Sequence, residues 1–170
     1  MAAWILVLML ALEPASKHRA TFEHTADAIA KVAAESPEWK REAQGVARTA
    51  ATIVSIAWFE GRFVEGRPEG SNDHNTSVCM MQVSESNFDW LGVTRSQMLG
   101  DVETCLRAGL RMVHASLLNC KARPLEERLG WYAAGHSGCE NGLKESRHRM
   151  QKAEWLFKRF PPPIELASIY

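Results

Sequence analysis

The sequence predicts a mainly α protein (α+β in the sense of one small β patch), folded as a single domain over residues 1–170. Three observations carry this. Apolar residues recur at three- and four-residue steps in several segments, the period of a helix with one buried face. Residues 64–84 are rich in Gly, Asn, Asp and Ser and turn apolar from Val78 to Val83, as a short hairpin or irregular β region would. Finally, 170 residues of which 46% are apolar can bury a sizeable core, but they make one domain rather than two.

In chain order, Ala2 to Leu12 is an unbroken apolar run, ended by Glu13-Pro14. It is too short to span a bilayer but suits either a signal-peptide core or a buried first helix. No Lys or Arg precedes it and no small-x-small cleavage site follows, which favours the helix. Residues 21–35 place Phe22, Ala26, Ile29 and Ala33 on one face, and Ser36-Pro37 stops that helix. A third helix of roughly 40–60 carries Val46, Ala50, Ile53 and Ala57 on a stripe that Glu60 continues, after which Gly61 lets the chain turn away. Beyond the β patch, one long helix of about Arg95 to Leu118 aligns Met98, Val102, Cys105, Gly109, Met112 and Ser116. Pro124 interrupts before a helix of roughly 125–134, and a last helix of about 143–159 precedes Pro161-Pro162-Pro163, which forces an extended tail over 161–170.

Composition and motifs exclude several functions. Twenty basic and twenty acidic residues cancel, so no nucleic-acid or anionic-membrane partner is implied, and no integral membrane span is expected. The basic residues of the last helix, Lys144, Arg147, Arg149, Lys152, Lys158 and Arg159, interleave with Glu145 and Glu154 and read as a solvated face. Gly135-His136-Ser137-Gly138 imitates a nucleophile elbow until Cys139 spoils the pattern. There is no phosphate-binding glycine loop and no Cys-x-x-Cys, and His114 and His136 lack ligand spacing, so neither a metal nor another cofactor is expected.

Four cysteines suit an oxidising compartment if they pair, or stand as reduced, partly buried thiols if they do not. Along one continuous helix Cys105 and Cys120 would lie about 22 Å apart, whereas a disulfide needs α-carbons within roughly 7 Å. Cys79 therefore pairs with Cys105 or Cys120 and Cys139 with the other; Cys79–Cys105 with Cys120–Cys139 is the preferred scheme.

The chemistry centres on Glu60. A carboxylic acid at the end of an apolar stripe, beside Trp58, Phe59 and Phe63, is pushed toward its neutral form by burial, the condition of a general acid near pH 7. The competing interpretation is a last-turn glutamate that rotates into solvent. The ordered segments FEGRF (59–63), SVCMMQV (77–83) and GWYAAG (130–135) resemble the three motifs of lytic transglycosylases, a family of lysozyme-like fold, over roughly residues 45–160. The resemblance implies Glu60 as the catalytic acid, Ser77, Met81 and Gln82 in the middle motif, and Tyr132 and Gly135 in the third. The chain departs from the pattern at Gly61 (usually Ser), Cys79 (usually Gly) and Ala133 (usually Asn), which bears on substrate positioning more than on the acid.

A glycosidase ordinarily needs two carboxyl groups. Glu65, Glu69 and Asp73 are candidates for the second; Asp73 is best placed, although Ser-Asn-Asp-His-Asn also reads as a plain turn. Lytic transglycosylases dispense with it: one glutamate acts as acid and then as base, leaving a 1,6-anhydro product. The resemblance thus implies cleavage of peptidoglycan strands by a monomer in the cell envelope, the periplasm or outside the cell, or by a phage-borne lysin. The alternatives are a hydrolytic muramidase using Asp73 and a non-catalytic glycan-binding module. Met80 or Met81, Trp58 and Trp131 would wall the cleft, with core packing as the competing role for each.

Overall fold

The computed structural model describes residues 1–14, 19–35, 44–63, 76–134 and 138–163. Among them are eight α-helices and one two-stranded antiparallel hairpin, so the chain is mainly helical with a small β region. The helices are α1 (Ala2–Leu12), α2 (Arg19–Glu35), α3 (Gly45–Gly61), α4 (Phe88–Leu91), α5 (Arg95–Gly100), α6 (Val102–Asn119), α7 (Gly130–Ala133) and α8 (Leu143–Arg159). The hairpin pairs β1 (Ser77–Val78) with β2 (Val83–Ser84), in the register Ser77 opposite Ser84 and Val78 opposite Val83.

The third helix is the axis of the molecule. Every residue from Thr49 to Ala57 is buried, so this helix has no solvent face over its middle turns, unlike the single stripe its spacing suggested. A helix covered on all sides must satisfy its polar side chains internally. Thr49 and Thr52 donate to the Gly45 and Arg48 carbonyls one turn back, and Ser55 donates to the Arg149 carbonyl of α8 at 2.7 Å. Helices α1, α2 and α8 pack around it. The apolar run at the start of the chain is thus a helix that buries Trp4, Ile5, Leu8 and Met9, and Trp4 ties it to the end of α8 through the Phe160 carbonyl at 2.8 Å.

Two helices anticipated from the sequence are divided. Helical periodicity runs through 95–118, but α5 ends at Gly100 and α6 restarts because Asp101 caps it, its carboxylate accepting from the Glu103 and Thr104 amides. Likewise 125–134 is a 3₁₀ turn at Leu125–Glu127 followed by the single turn of α7. Between them Ser116 and Ser146 supply local partners: Ser116 donates to the Arg128 carbonyl and accepts from the Tyr132 amide, while Ser146 donates to the Glu126 carbonyl and accepts from the Leu129 amide. The last helix spans the expected residues and buries Ser146, Arg149, Ala153 and Leu156. Among the described residues no helix is long and apolar enough to cross a membrane.

Both disulfides follow the preferred scheme. Cys79–Cys105 fastens the hairpin to α6, and Cys120–Cys139 fastens the end of α6 to the turn before α8. The expected extended tail over 161–170 is described only at Pro161–Pro163, which follow α8 without regular structure; residues 164–170 lie outside the described residues.

Candidate functional site

The site is assembled where the C-terminal end of α3 meets the hairpin, α7 and α8. The turn expected at Gly61 is made one residue later. Gly61 is still helical, and the left-handed residues that terminate α3 are Arg62 (φ 52°) and Phe63 (φ 60°). Gly61 serves a different need: a Cβ there would sit 3.3 Å from the Met80 α-carbon, so the missing side chain lets the hairpin backbone lie against the helix end.

The hairpin loop is held locally as well. Cys79 opens the four-residue hairpin loop at φ 60°, the left-handed region where a glycine carries no steric penalty. Here a cysteine occupies it and is held by its bond to Cys105. Gln82 closes the loop at φ 47°, its amide and its side-chain Nε2 both donating to the Cys79 carbonyl at 3.1 and 2.9 Å. Gln82 is thus committed to the loop itself. Ser77 is partly exposed on β1 and makes no hydrogen bond to Glu60 or Tyr132.

Met81 does not wall a cleft with its side chain. That side chain is fully buried against α6 at Gly109, where a Cβ would approach it to 2.7 Å, so the apolar body that would have stacked on a sugar is spent on the core. Met80 is buried as well. What Met81 brings to the site is its carbonyl, which accepts the Tyr132 hydroxyl at 2.5 Å. Trp58 is likewise engaged: its indole donates to Glu13 at 2.9 Å and Arg62 lies over its ring at 4.2 Å. Glu13 answers both, with its carboxyl held below the ordinary range chiefly by Arg62 and then by Trp58.

Glu60 retains about a sixth of its side-chain exposure (17%), enough to be reached from one direction. Burial raises its pKa above the ordinary value, and the neighbouring Arg149 charge opposes this without cancelling it. Arg149 donates to a single oxygen, Oε1, through Nε at 2.9 Å and Nη2 at 2.5 Å. The guanidinium is itself buried and rests 5.9 Å from the Phe59 ring centroid. This overturns the solvated reading for Arg149, because α8 aims that residue inward on the Ser146–Arg149–Ala153–Leu156 stripe. The inward position was readable: a basic residue on an otherwise small and apolar helical stripe lacks a solvent outlet and needs an internal anion.

Tyr132 completes the group. Its phenol is pushed well above 10 by burial and then by the Glu60 charge, so it remains a neutral donor. The structure therefore brings together Glu60, Arg149, Tyr132 and the Met81 carbonyl. Asp73 and Gly135, with Glu65 and Glu69, lie outside the described residues. Among the described residues no carboxylate perturbs Glu60, and no three His, Cys, Asp or Glu side chains converge as metal ligands. A cavity of about 340 Å³ between α3, α8 and Leu125–Glu127, lined by Arg48, Thr52, Met150 and Phe157 among others, contains none of these residues.

No family model, no curated protein and no solved structure matches this chain.

Proposed function

We propose that the chain is a peptidoglycan lytic transglycosylase in which Glu60 acts as acid and then as base. The observation that carries the reading is the state of Glu60: a mostly buried carboxyl, favoured toward its neutral form, with one oxygen held by Arg149 and the other bonded to no described residue. A group of that kind is suited to donate a proton near neutrality and to be tolerated as an anion afterwards. The order of the three motifs, and the meeting of their members Glu60, Met81 and Tyr132, adds support.

In this reading Glu60 gives its proton to the glycosidic oxygen as the C1–O bond of N-acetylmuramic acid breaks. The acetamido oxygen of the same sugar attacks C1 and holds the positive charge. Glu60, now a carboxylate, takes the C6 hydroxyl proton as O6 displaces the acetamido group, giving the 1,6-anhydro ring. Proton and electron pair return to their starting places on the enzyme, so one carboxyl group suffices. Both disulfides fit an envelope or extracellular setting.

The test is digestion of purified peptidoglycan by the wild type and by Glu60→Gln, with muropeptides weighed by mass spectrometry. Anhydro-muramyl products that vanish in the variant are expected. Reducing-end products heavier by one water would replace the proposal with a muramidase. Strand binding without any product would replace it with a glycan-binding module.

A further inference from the structure

We propose that Arg149 is the positioning residue of Glu60, fixing which carboxyl oxygen carries the transferred proton. The inference rests on the acid role of Glu60 and adds what the motifs do not contain. A guanidinium usually meets a carboxylate with two nitrogens on two oxygens. Here Nε and Nη2 both close on Oε1, and Oε2 bonds to no described residue. A proton on Oε1 would face two N–H donors, so a neutral Glu60 must carry it on Oε2. The acid is thereby presented from one atom in one direction, and the cation that oriented it remains beside the carboxylate once the proton has left.

The pair is fixed at both ends. Glu60 belongs to the last turn of α3, whose middle turns are buried on all sides, and Ser55 of those turns donates to the backbone carbonyl of Arg149 at 2.7 Å. Among the described residues the surrounding groups do not compete. From α8, His148 stacks on Phe59 at 6.4 Å. From α7, Tyr132 is neutral and spends its proton on Met81. From α1, Glu13 is engaged by Arg62 and Trp58. Among the described residues Arg149 is the charge in direct contact with Glu60.

The experiment follows the ¹³C carboxyl shift of Glu60 through a pH titration in the wild type, Arg149→Gln and Arg149→Lys, and measures muropeptide release over the same range. In Arg149→Gln the Glu60 titration should move up by one unit or more, about a tenfold gain in proton affinity. The alkaline limb of the rate profile should move with it, and the maximum rate should fall about 10- to 100-fold. Arg149→Lys keeps the charge without the planar fork, so its limb should return toward the wild-type position while the rate recovers in part. A folded Arg149→Gln with unmoved titration, or one slowed equally at every pH, overturns the proposal. So does Arg149→Lys with full wild-type rate, which decides the matter even if the glutamine variant fails to fold. A wild type that releases no product while Glu60 titrates as expected would refute the transglycosylase reading and leave the Arg149–Glu60 coupling standing.

Discussion

Tyr132 donates its hydroxyl to the carbonyl of Met81, joining the turn of α7 to the hairpin across 51 residues of sequence. Met81 is fully buried and Tyr132 partly so, so removing the donor leaves a shielded carbonyl without its partner. Tyr132→Phe should therefore cost about 1–3 kcal/mol, the penalty of one buried unsatisfied group. Chemical denaturation at pH 7 measures it. A loss below a few tenths would mean that water reaches the Met81 carbonyl. Muropeptide release should fall too, because the hairpin loses its link to α7.

Glu60 gives a pH signature independent of any substrate. Its pKa is raised from 4.5 in the folded state, burial outweighing Arg149. The folded protein thus binds this proton more tightly than the unfolded chain. The resulting stability is complete below the unfolded value and is lost as pH rises through the folded one. Glu60→Gln cannot titrate. Its stability relative to wild type should climb from about pH 4.5 upward, by at most about 1.4 kcal/mol per unit, then level off. Urea melts at half-unit pH steps read the difference, and a flat line would show that Glu60 titrates normally.

Asp101 predicts the opposite dependence. Its carboxyl is held below 3.8, first by the Thr104 hydroxyl and also by the Glu103 and Thr104 amides it caps. That contribution is present above the unfolded value and disappears as pH falls through the folded one. Asp101→Ala should cost about 1 kcal/mol at neutral pH, an ordinary N-cap loss. The deficit should shrink as pH falls below 3.8. A deficit unchanged in acid would assign the effect to the break between α5 and α6 rather than to the cap.

The two disulfides separate stability from site geometry. They enclose 26 and 19 residues, and loop closure predicts about 3 kcal/mol for each. Cys79→Ala with Cys105→Ala should lower unfolding free energy by roughly that amount and also reduce glycan cleavage, since it frees the hairpin. Cys120→Ala with Cys139→Ala should cost similar stability and leave the hairpin fastened. Equal losses of activity in both double variants would argue against this division.

Elements with strong periodicity and clear stops were legible: α2, α8 and the acid-bearing end of α3 fall where apolar spacing puts them. The division between α5 and α6 was missed because Met98, Val102 and Cys105 keep the helical period across it; Asp101 behind Gly100 was the overlooked cap signal. The 125–134 segment failed for want of length, since its polar groups are settled by Ser116 and Ser146, which lie far from it in sequence. At the site, Glu60 and Tyr132 could be named from motifs. Gln82 and Met81 show the limit of naming, one turned onto Cys79 and the other into the core. Arg149 was grouped with the other charged residues of α8; its place on the stripe of Ser146, Ala153 and Leu156 was the overlooked signal.

The helix covered on every side has a consequence for inactivation. Glu60 lies just beyond Thr49–Ala57, whose side chains are all buried, so hydrogen exchange through that segment should be limited by global opening. The acid then has no private melting step. Warming should preserve the setting of Glu60 until the whole fold gives way, and any earlier loss of the proposed activity would have to originate in the hairpin or α7.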